Sequence, residues 1–349
     1  MGMRIALVAP PFIPVPPVRY GGTELFVAHL ATELHARGHD VRVYTNGASR
    51  LPCHVRSRYE EADWPIADAR RADLKHADHV SWAIEDAASW ADLIHLNDPI
   101  GVPFTRFVSA PFVVTLHHSH DDASSEQYAR YPSNDYVAIG EWLAAREHAP
   151  KVHVVHHGIA LDAYTTGDSH EYAAFLGRIA PCKGTHLAIE VAKRANVRLK
   201  IAGEVQPQYR SYWEDEVRPH IDGTQIEFLG EADLALKNDL LSHARALLFP
   251  IQWEEPFGLV MIEAMACGAP VLALPGGAVA EIVANGVSGF VCSSTNEMAE
   301  RLVAPLPARD GCRAYVEERF TAARMTDRYL EIYARVLDER TSAPEMKVA

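Results

Sequence analysis

Phe249-Pro250-Ile251-Gln252-Trp253-Glu254-Glu255-Pro256-Phe257-Gly258-Leu259-Val260-Met261-Ile262-Glu263-Ala264-Met265-Ala266-Cys267-Gly268-Ala269-Pro270 is the stretch on which the reading of this chain turns. It reads as a strand end, a loop carrying an acid, a Pro-Phe-Gly turn, and an apolar helix with one carboxylate inside it. Glu263 is flanked by Met261, Ile262, Ala264 and Met265, so it is expected to face the interior. A buried carboxylate requires a strong hydrogen-bonding partner, because burying it unpaired costs several kcal/mol. Gly258 stands where the helix should start, and free N–H groups at a helix start attract anions. The segment thus presents an acid in a loop (Glu255), an anion-binding turn (Phe257, Gly258, Leu259) and a second acid in the helix (Glu263). That set suits a sugar joined to a diphosphate and a ribose. The competing reading is an ordinary strand, loop and helix with two incidental acids.

Outward from this stretch, short β-branched runs alternate with amphipathic segments along the chain. This pattern predicts parallel sheets covered by helices. One series of strands runs through Arg4–Ala9, Val41–Thr45, Leu93–Leu96, Phe112–Leu116, Tyr136–Ile139 and Val152–Val155. A second begins at Tyr172 and continues through Leu199–Ala202, Ile226–Leu229, Ala246–Phe249, Val271–Ala273 and Phe290–Val291. Helices are expected over Gly22–Arg37, His186–Ala195, Ala235–His243 and Thr321–Glu339, while residues 57–80 are polar and give no clear period. The polar stretch His157–Asp168 reads as the linker. Two domains follow, at 1–160 and 161–320, with the last helix packing back on the first domain and Thr341–Ala349 frayed. Two facing α/β domains would leave a cleft between them, with ligands outside the carboxyl ends of the strands.

A chain of 349 residues accommodates two such domains. It carries 33 Lys and Arg against 46 Asp and Glu, a formal charge of −13, which argues against a nucleic-acid partner and against tight docking on an anionic membrane. No apolar run approaches the roughly 20 residues needed to span a bilayer, and Met1–Pro10 reads as a first strand, not a leader. The five cysteines are scattered and form neither a disulfide framework nor a zinc pattern, so a reducing cytoplasm is expected.

Three further loops carry chemistry. The proline-rich loop Pro10–Gly22 ends in Tyr20-Gly21-Gly22-Thr23-Glu24, where paired glycines let a backbone approach a ligand. Gly177-Arg178-Ile179-Ala180-Pro181-Cys182-Lys183-Gly184-Thr185 brings two cations to another helix start, with Thr185 as the expected cap. Arg178 and Lys183 could neutralise a diphosphate leaving group. Thr115-Leu116-His117-His118-Ser119-His120-Asp121-Asp122 is rich in potential metal ligands but lacks the usual paired helical spacings. No metal and no cofactor are therefore expected, and one histidine is expected to bond a substrate hydroxyl. Ala202-Gly203-Glu204 and Phe228-Leu229-Gly230-Glu231 end two strands and could hold a nucleobase by backbone groups.

These residues resemble the retaining glycosyltransferases of family 4, which have the GT-B architecture of two facing Rossmann-like domains. The resemblance is carried by Gly21-Gly22, Thr115-Leu116-His117, Gly177-Arg178 with Lys183-Gly184, and the block from Glu255 to Phe290. In that block Glu255 and Glu263 stand at the family's two-glutamate spacing, followed by Gly268-Ala269-Pro270-Val271, Gly276-Gly277 and Gly289-Phe290. The resemblance spans about residues 4–335. It implies a nucleotide-sugar donor on the second domain, with Arg178, Lys183 and the N–H groups of Gly258 and Leu259 on the diphosphate. It implies Glu255 on the sugar hydroxyls, Glu263 on the ribose, Gly22 near the phosphates and His117 on the sugar. A saccharide or small-molecule acceptor would dock on the first domain, near Pro10–Tyr20 and His117–Asp122. Two departures stand out. His156-His157-Gly158 occupies a linker position where the family often has Pro-Asn-Gly, and no Lys/Arg cluster marks the first domain for a lipid acceptor. The alternatives are a non-catalytic nucleotide-sugar-binding protein, or a relative of the same architecture acting as a phosphorylase or epimerase. The intact Arg178, Lys183, Glu255 and Glu263 weigh against the first.

Overall fold

The computed structural model describes residues 2–168 and 171–342. The frayed end expected from Thr341 lies, from residue 343 on, outside the described residues. The chain forms two compact units. The first runs to Pro17, then from Gly21 to Gly158, and includes the helix that starts at Ala322. The second comprises Val18–Tyr20 and Ile159–Thr321.

In the first unit the strands are β1 (Arg4–Val8), β2 (Asp40–Thr45), β3 (His54–Ser57), β4 (Leu93–Leu96), β5 (Phe112–Leu116), β6 (Asp135–Ala138) and β7 (Val152–Val154). They form one parallel sheet in the order β3-β2-β1-β4-β5-β6-β7. The central strands are mostly apolar and buried because helices cover both faces. Ile5, Leu7, Val41, Val43, Val113 and Val137 pack with Phe26, Val27, Leu30 and Leu34 of the Gly22–Ala36 helix. The Ala322–Ser342 helix joins that core through Met325, Tyr329 and Tyr333. A buried polar chain fixes it there. Tyr333 OH lies 2.6 Å from His95 Nδ1, His95 Nε2 lies 2.7 Å from Thr115 Oγ1, and Thr115 Oγ1 lies 2.8 Å from Tyr329 OH.

The sequence pattern missed two elements here, β3 and a helix over Ala69–Ala88. The helix begins at Asp68, whose carboxylate accepts a hydrogen bond from the Arg71 N–H, and it buries Ala72, His79, Val80, Ala83, Ile84 and Ala87. Alanines and a histidine make a faint apolar stripe against charged neighbours, which is why no helical period stood out.

The second unit holds β8 (Tyr172–Leu176), β9 (Arg198–Ala202), β10 (Ile226–Phe228), β11 (Ala246–Phe249), β12 (Val271–Ala273) and β13 (Gly289–Val291). Its parallel order is β10-β9-β8-β11-β12-β13. Within each unit the strand order reverses once, between β1 and β4 and between β8 and β11. In open α/β sheets such a reversal opens a crevice at the carboxyl ends of the two strands. The segments leaving those ends are Ala9–Gly21 and Asn97–Asp98 in the first unit, and Gly177–Gly184 and Pro250–Gly258 in the second.

Candidate active site

In the second unit the loops after β8 and β11 are joined backbone to backbone. The Gln252 N–H donates to the Cys182 carbonyl at 2.8 Å. Gly184 lies so close to Pro250 that a side chain there would meet the Pro250 carbonyl oxygen, and its φ of 70° already favours glycine. This contact brings Lys183 to Glu255. Lys183 Nζ donates to Glu255 Oε2 at 2.5 Å, and the Trp253 indole N–H donates to the same oxygen at 2.8 Å. The ammonium also stands 4.7 Å from the centre of the Trp253 ring, in cation–π range. Both side chains are largely buried, with 15% of Lys183 and 8% of Glu255 exposed. Lys183 is therefore largely withdrawn from solvent and held against a carboxylate.

The Glu255 loop is held from behind by Gly276-Gly277. Ala278 N–H donates to the Glu255 carbonyl at 2.8 Å, and Gly277 N–H donates to the Glu254 carboxylate. Gly258, in the left-handed conformation at φ 85°, caps the helix Leu259–Ala266, and a Cβ on it would stand 3.3 Å from Glu255 Cγ. First-turn N–H groups such as those of Gly258 and Leu259 have no intrahelical acceptor, so positive potential gathers beside the Lys183–Glu255 pair. Phe257 is buried and meets Phe320 edge to face, which anchors the turn.

Glu263, on the same helix, is 3% exposed, as its apolar flanks suggested. Its Oε1 accepts from Lys237 Nζ at 2.6 Å and from Tyr164 OH at 2.9 Å. Burial, reinforced by the charge of Glu263, pushes the Tyr164 phenol far above its ordinary range, so Tyr164 stays a proton donor. Tyr164 and Lys237 went unnoticed in the sequence. Tyr164 falls in a stretch that reads as linker, and Lys237 is one lysine on a short helix. Neither is near Glu263 along the chain, and no local spacing announces the contact.

Arg178 makes no ion pair among the described residues; its guanidinium carbon lies 5.8 Å from the centre of the Tyr20 ring. The structure joins Lys183, Glu255 and Gly258 directly, whereas Arg178 and Glu263 have other neighbours. One expectation needs correction. Thr185 does not cap its helix: Gly184 is the cap residue, and Thr185 begins the helix with its hydroxyl buried and unbonded. The backbone N–H groups of Gly203 and Leu229 are taken up by the sheet. Gly203 N–H donates to the Gly230 carbonyl and Leu229 N–H to the Ile201 carbonyl, each at 2.8 Å, extending the sheet ladder. Gly203 is a glycine for packing, since a Cβ would collide with the Gly177 carbonyl.

In the first unit Gly21 caps the Gly22–Ala36 helix at φ 146°, and Leu25 N–H returns to its carbonyl at 3.0 Å. His117 follows β5. Asn97 fixes its tautomer: Asn97 Nδ2 donates to the Val8 carbonyl at 3.1 Å, so Oδ1 faces His117 Nε2 at 3.1 Å and Nε2 must carry the proton. His117 Nδ1 is then an acceptor, buried and without a partner. Desolvation first, then the neighbouring His157, His95 and His118, hold His117 far below the ordinary imidazole range, so the ring is neutral. His157 stacks on it at 5.3 Å. His118 bonds the Tyr128 hydroxyl at 2.6 Å, and His120 lies 3.2 Å from both Glu147 and Asp122. Among the described residues no group of three or more His, Cys, Asp or Glu is arranged to hold a metal ion.

Comparison with known sequences matches residues 162–306 to the family described as glycosyl transferases group 1, and residues 20–163 to glycosyltransferase family 4. The chain belongs to the group 1, family 4 glycosyltransferases. It is 26% identical to a glycogen synthase of Mycobacterium tuberculosis, over 83% of this chain and 82% of that protein. Its fold matches sucrose-phosphate synthase of Thermosynechococcus elongatus at a TM-score of 0.81, with 19% identity, covering 97% of this chain and all of that one. It also matches Anabaena HepE, solved with UDP-glucose, at a TM-score of 0.71 with 18% identity, over 95% and 100% of the two chains. The fold is thus the GT-B architecture expected from the sequence. In this glycosyltransferase the first family match covers Lys183, Glu255 and Glu263, and the second covers Gly21, Gly22 and His117. No helix among the described residues is long and apolar enough to cross a membrane.

Proposed function

We propose that this glycosyltransferase moves a hexosyl group from a nucleoside-diphosphate sugar to an acceptor hydroxyl, with retention at the anomeric carbon and without a divalent metal. One observation carries the reading: the Lys183–Glu255 pair at 2.5 Å beside the Gly258 helix start, at the β8/β11 reversal. A cation and free N–H groups suit a diphosphate, and a carboxylate next to them suits sugar hydroxyls. Donor binding would exchange the Lys183–Glu255 bond for Lys183 on the diphosphate and Glu255 on the sugar. The structure of HepE with UDP-glucose supports this donor class for the fold.

In the step itself the bond from the anomeric carbon to the diphosphate oxygen breaks, and the acceptor oxygen bonds the same face of that carbon. The acceptor proton passes to the departing phosphate oxygen. Lys183, Arg178 and the helix start stabilise the charge that grows there, which is the role a metal ion fills elsewhere. Glu263 takes the ribose hydroxyls, with Tyr164 and Lys237 fixing its carboxylate. His117, neutral and with Nδ1 free to accept, takes a hydrogen bond from a sugar hydroxyl. Base selection rests on backbone groups at the ends of β9 and β10 near Gly203 and Leu229, through carbonyls, since their N–H groups are used in the sheet.

The test is proton NMR of wild-type reactions with a panel of nucleoside-diphosphate sugars in EDTA. An α-linked product from an α-linked donor is expected. An inverted product would overturn retention, a requirement for added manganese would overturn metal independence, and no turnover of any donor would overturn the reading.

A further inference from the structure

Trp253 touches both side chains on which the donor chemistry above rests, and that chemistry gives it no task. It is half-buried in the segment after β11, and its backbone is held from two sides. The preceding Gln252 N–H donates to the Cys182 carbonyl at 2.8 Å, and a Cβ on Gly276 would stand 2.5 Å from the Trp253 carbonyl oxygen. The following Glu254 carboxylate accepts from the Gly277 N–H. A backbone tied down at 252 and 254 fixes where the indole between them points.

The indole has two chemically distinct features, and each meets a different partner. Its N–H donates to Glu255 Oε2 at 2.8 Å. Its ring face meets the Lys183 ammonium at 4.7 Å. Oε2 thus takes both bonds of the Glu255 carboxylate, from Trp253 and from Lys183 at 2.5 Å, while Oε1 has no hydrogen bond among the described residues. The N–H therefore orients the carboxylate with Oε1 as the acceptor left for a sugar hydroxyl. The ring draws the ammonium electrostatically. An ammonium has three donors, so Lys183 can keep this contact while it donates to phosphate oxygens.

Donor binding separates Lys183 from Glu255. Parting them without a third group would leave a largely buried carboxylate and a largely buried ammonium unsatisfied. Trp253 is placed to hold each of them after they part. The indole nitrogen is a donor only, so it serves the carboxylate and does not compete for the Lys183 protons.

We propose that Trp253 is a positioning residue with two separable tasks: its N–H orients Glu255 for the donor's sugar, and its ring holds Lys183 for the diphosphate. This rests on the glycosyltransfer reading above and deepens it by dividing one side chain between the two halves of the donor.

The probes are UDP, ADP, GDP and dTDP with their glucose conjugates. The pair that the wild type binds most tightly in calorimetric titration is carried into the variants, and circular dichroism checks that each variant is folded. Trp253→Phe keeps a ring over Lys183 and loses the N–H. It should bind the free diphosphate within about twofold of wild type but lose roughly tenfold in affinity for the glucose conjugate. Trp253→Leu removes both features and should lose roughly fivefold for the free diphosphate as well. In a Glu255→Ala background, where no carboxylate remains to orient, adding Trp253→Phe should change affinity for the conjugate by less than about twofold. Equal losses for both ligands in Trp253→Phe would mark a merely structural role and overturn the proposal. So would a Trp253→Phe that binds both ligands like wild type, a Trp253→Leu with undiminished diphosphate affinity, or a full further loss in the Glu255→Ala background. Wild type that binds none of the probe pairs would overturn the donor reading itself.

Discussion

Removing Lys183 should damage the second unit's stability as well as its chemistry, and the two losses can be separated. Lys183→Met keeps an unbranched apolar stem and deletes the ammonium. Glu255, largely buried, is then left with the Trp253 N–H as its side-chain partner. Breaking a buried ion pair from one side costs about 3–5 kcal/mol, because the other charge stays buried and uncompensated. Lys183 retains 15% exposure, so the lower end, about 3 kcal/mol, is expected. The double variant Lys183→Met/Glu255→Gln removes both charges and should recover roughly 2 kcal/mol of that loss. Turnover should not recover with it. If Lys183 stabilises the leaving diphosphate, the single and double variants should both lose on the order of a hundredfold in rate, or about 3 kcal/mol of barrier. Because the chain has two units, a global melt would mix them. Native-state hydrogen exchange at the β11 amides reports the second unit directly. If the single variant loses under 1 kcal/mol, or the two substitutions simply add, the pair is not energetically coupled. Turnover restored in the double variant would mean that Lys183 acts only by neutralising Glu255.

Three further outcomes are expected. Glu24 titrates near 7 when folded and near its ordinary 4.5 when unfolded, so the folded chain keeps the proton longer and stability falls as pH rises from about 4.5 to about 7; Glu24→Gln should therefore gain about 2 kcal/mol more over wild type at pH 8 than at pH 5, and an equal difference at both pH values in urea titrations would refute this. Gly277→Ala puts a methyl group against the Glu255 carbonyl at a φ of 57°, so it should displace the Glu255 loop and cut transfer at least tenfold; near-normal kcat/KM would show that the loop tolerates the shift. Glu263→Gln should weaken binding of free nucleoside diphosphate by roughly tenfold while Glu255→Gln leaves it nearly unchanged, and equal losses in calorimetric titration would reverse the assignment of ribose and sugar.

What the sequence disclosed and what it withheld follow from the range of the forces involved. The stretch from Phe249 to Pro270 was readable because its strand, glycine turn and helix are local, and a carboxylate among apolar neighbours at position 263 already implies burial. Two parallel sheets were readable for the same reason, since buried strands carry continuous apolar runs. The partners of the acids were not readable. Lys183 meets Glu255 only because Gly184 packs against Pro250, and Lys237 meets Glu263 only because two helices of the second unit approach one another. Both contacts depend on strand order, which no local pattern encodes. Gly203 shows another such dependence: it must be glycine because a Cβ would collide with the Gly177 carbonyl, a contact set by how β8 and β9 lie side by side. Glu24 is the instructive case between these. Its position after paired glycines was visible, but its isolation was not, because the lack of a partner is a property of everything around it. A buried carboxyl group that the fold leaves without a charged partner keeps its proton, and the rise of Glu24 to about 7 is the cost of burial expressed as a pKa. Glu255 answers the same cost with Lys183, so a donor that engages both side chains should add stability to the second unit.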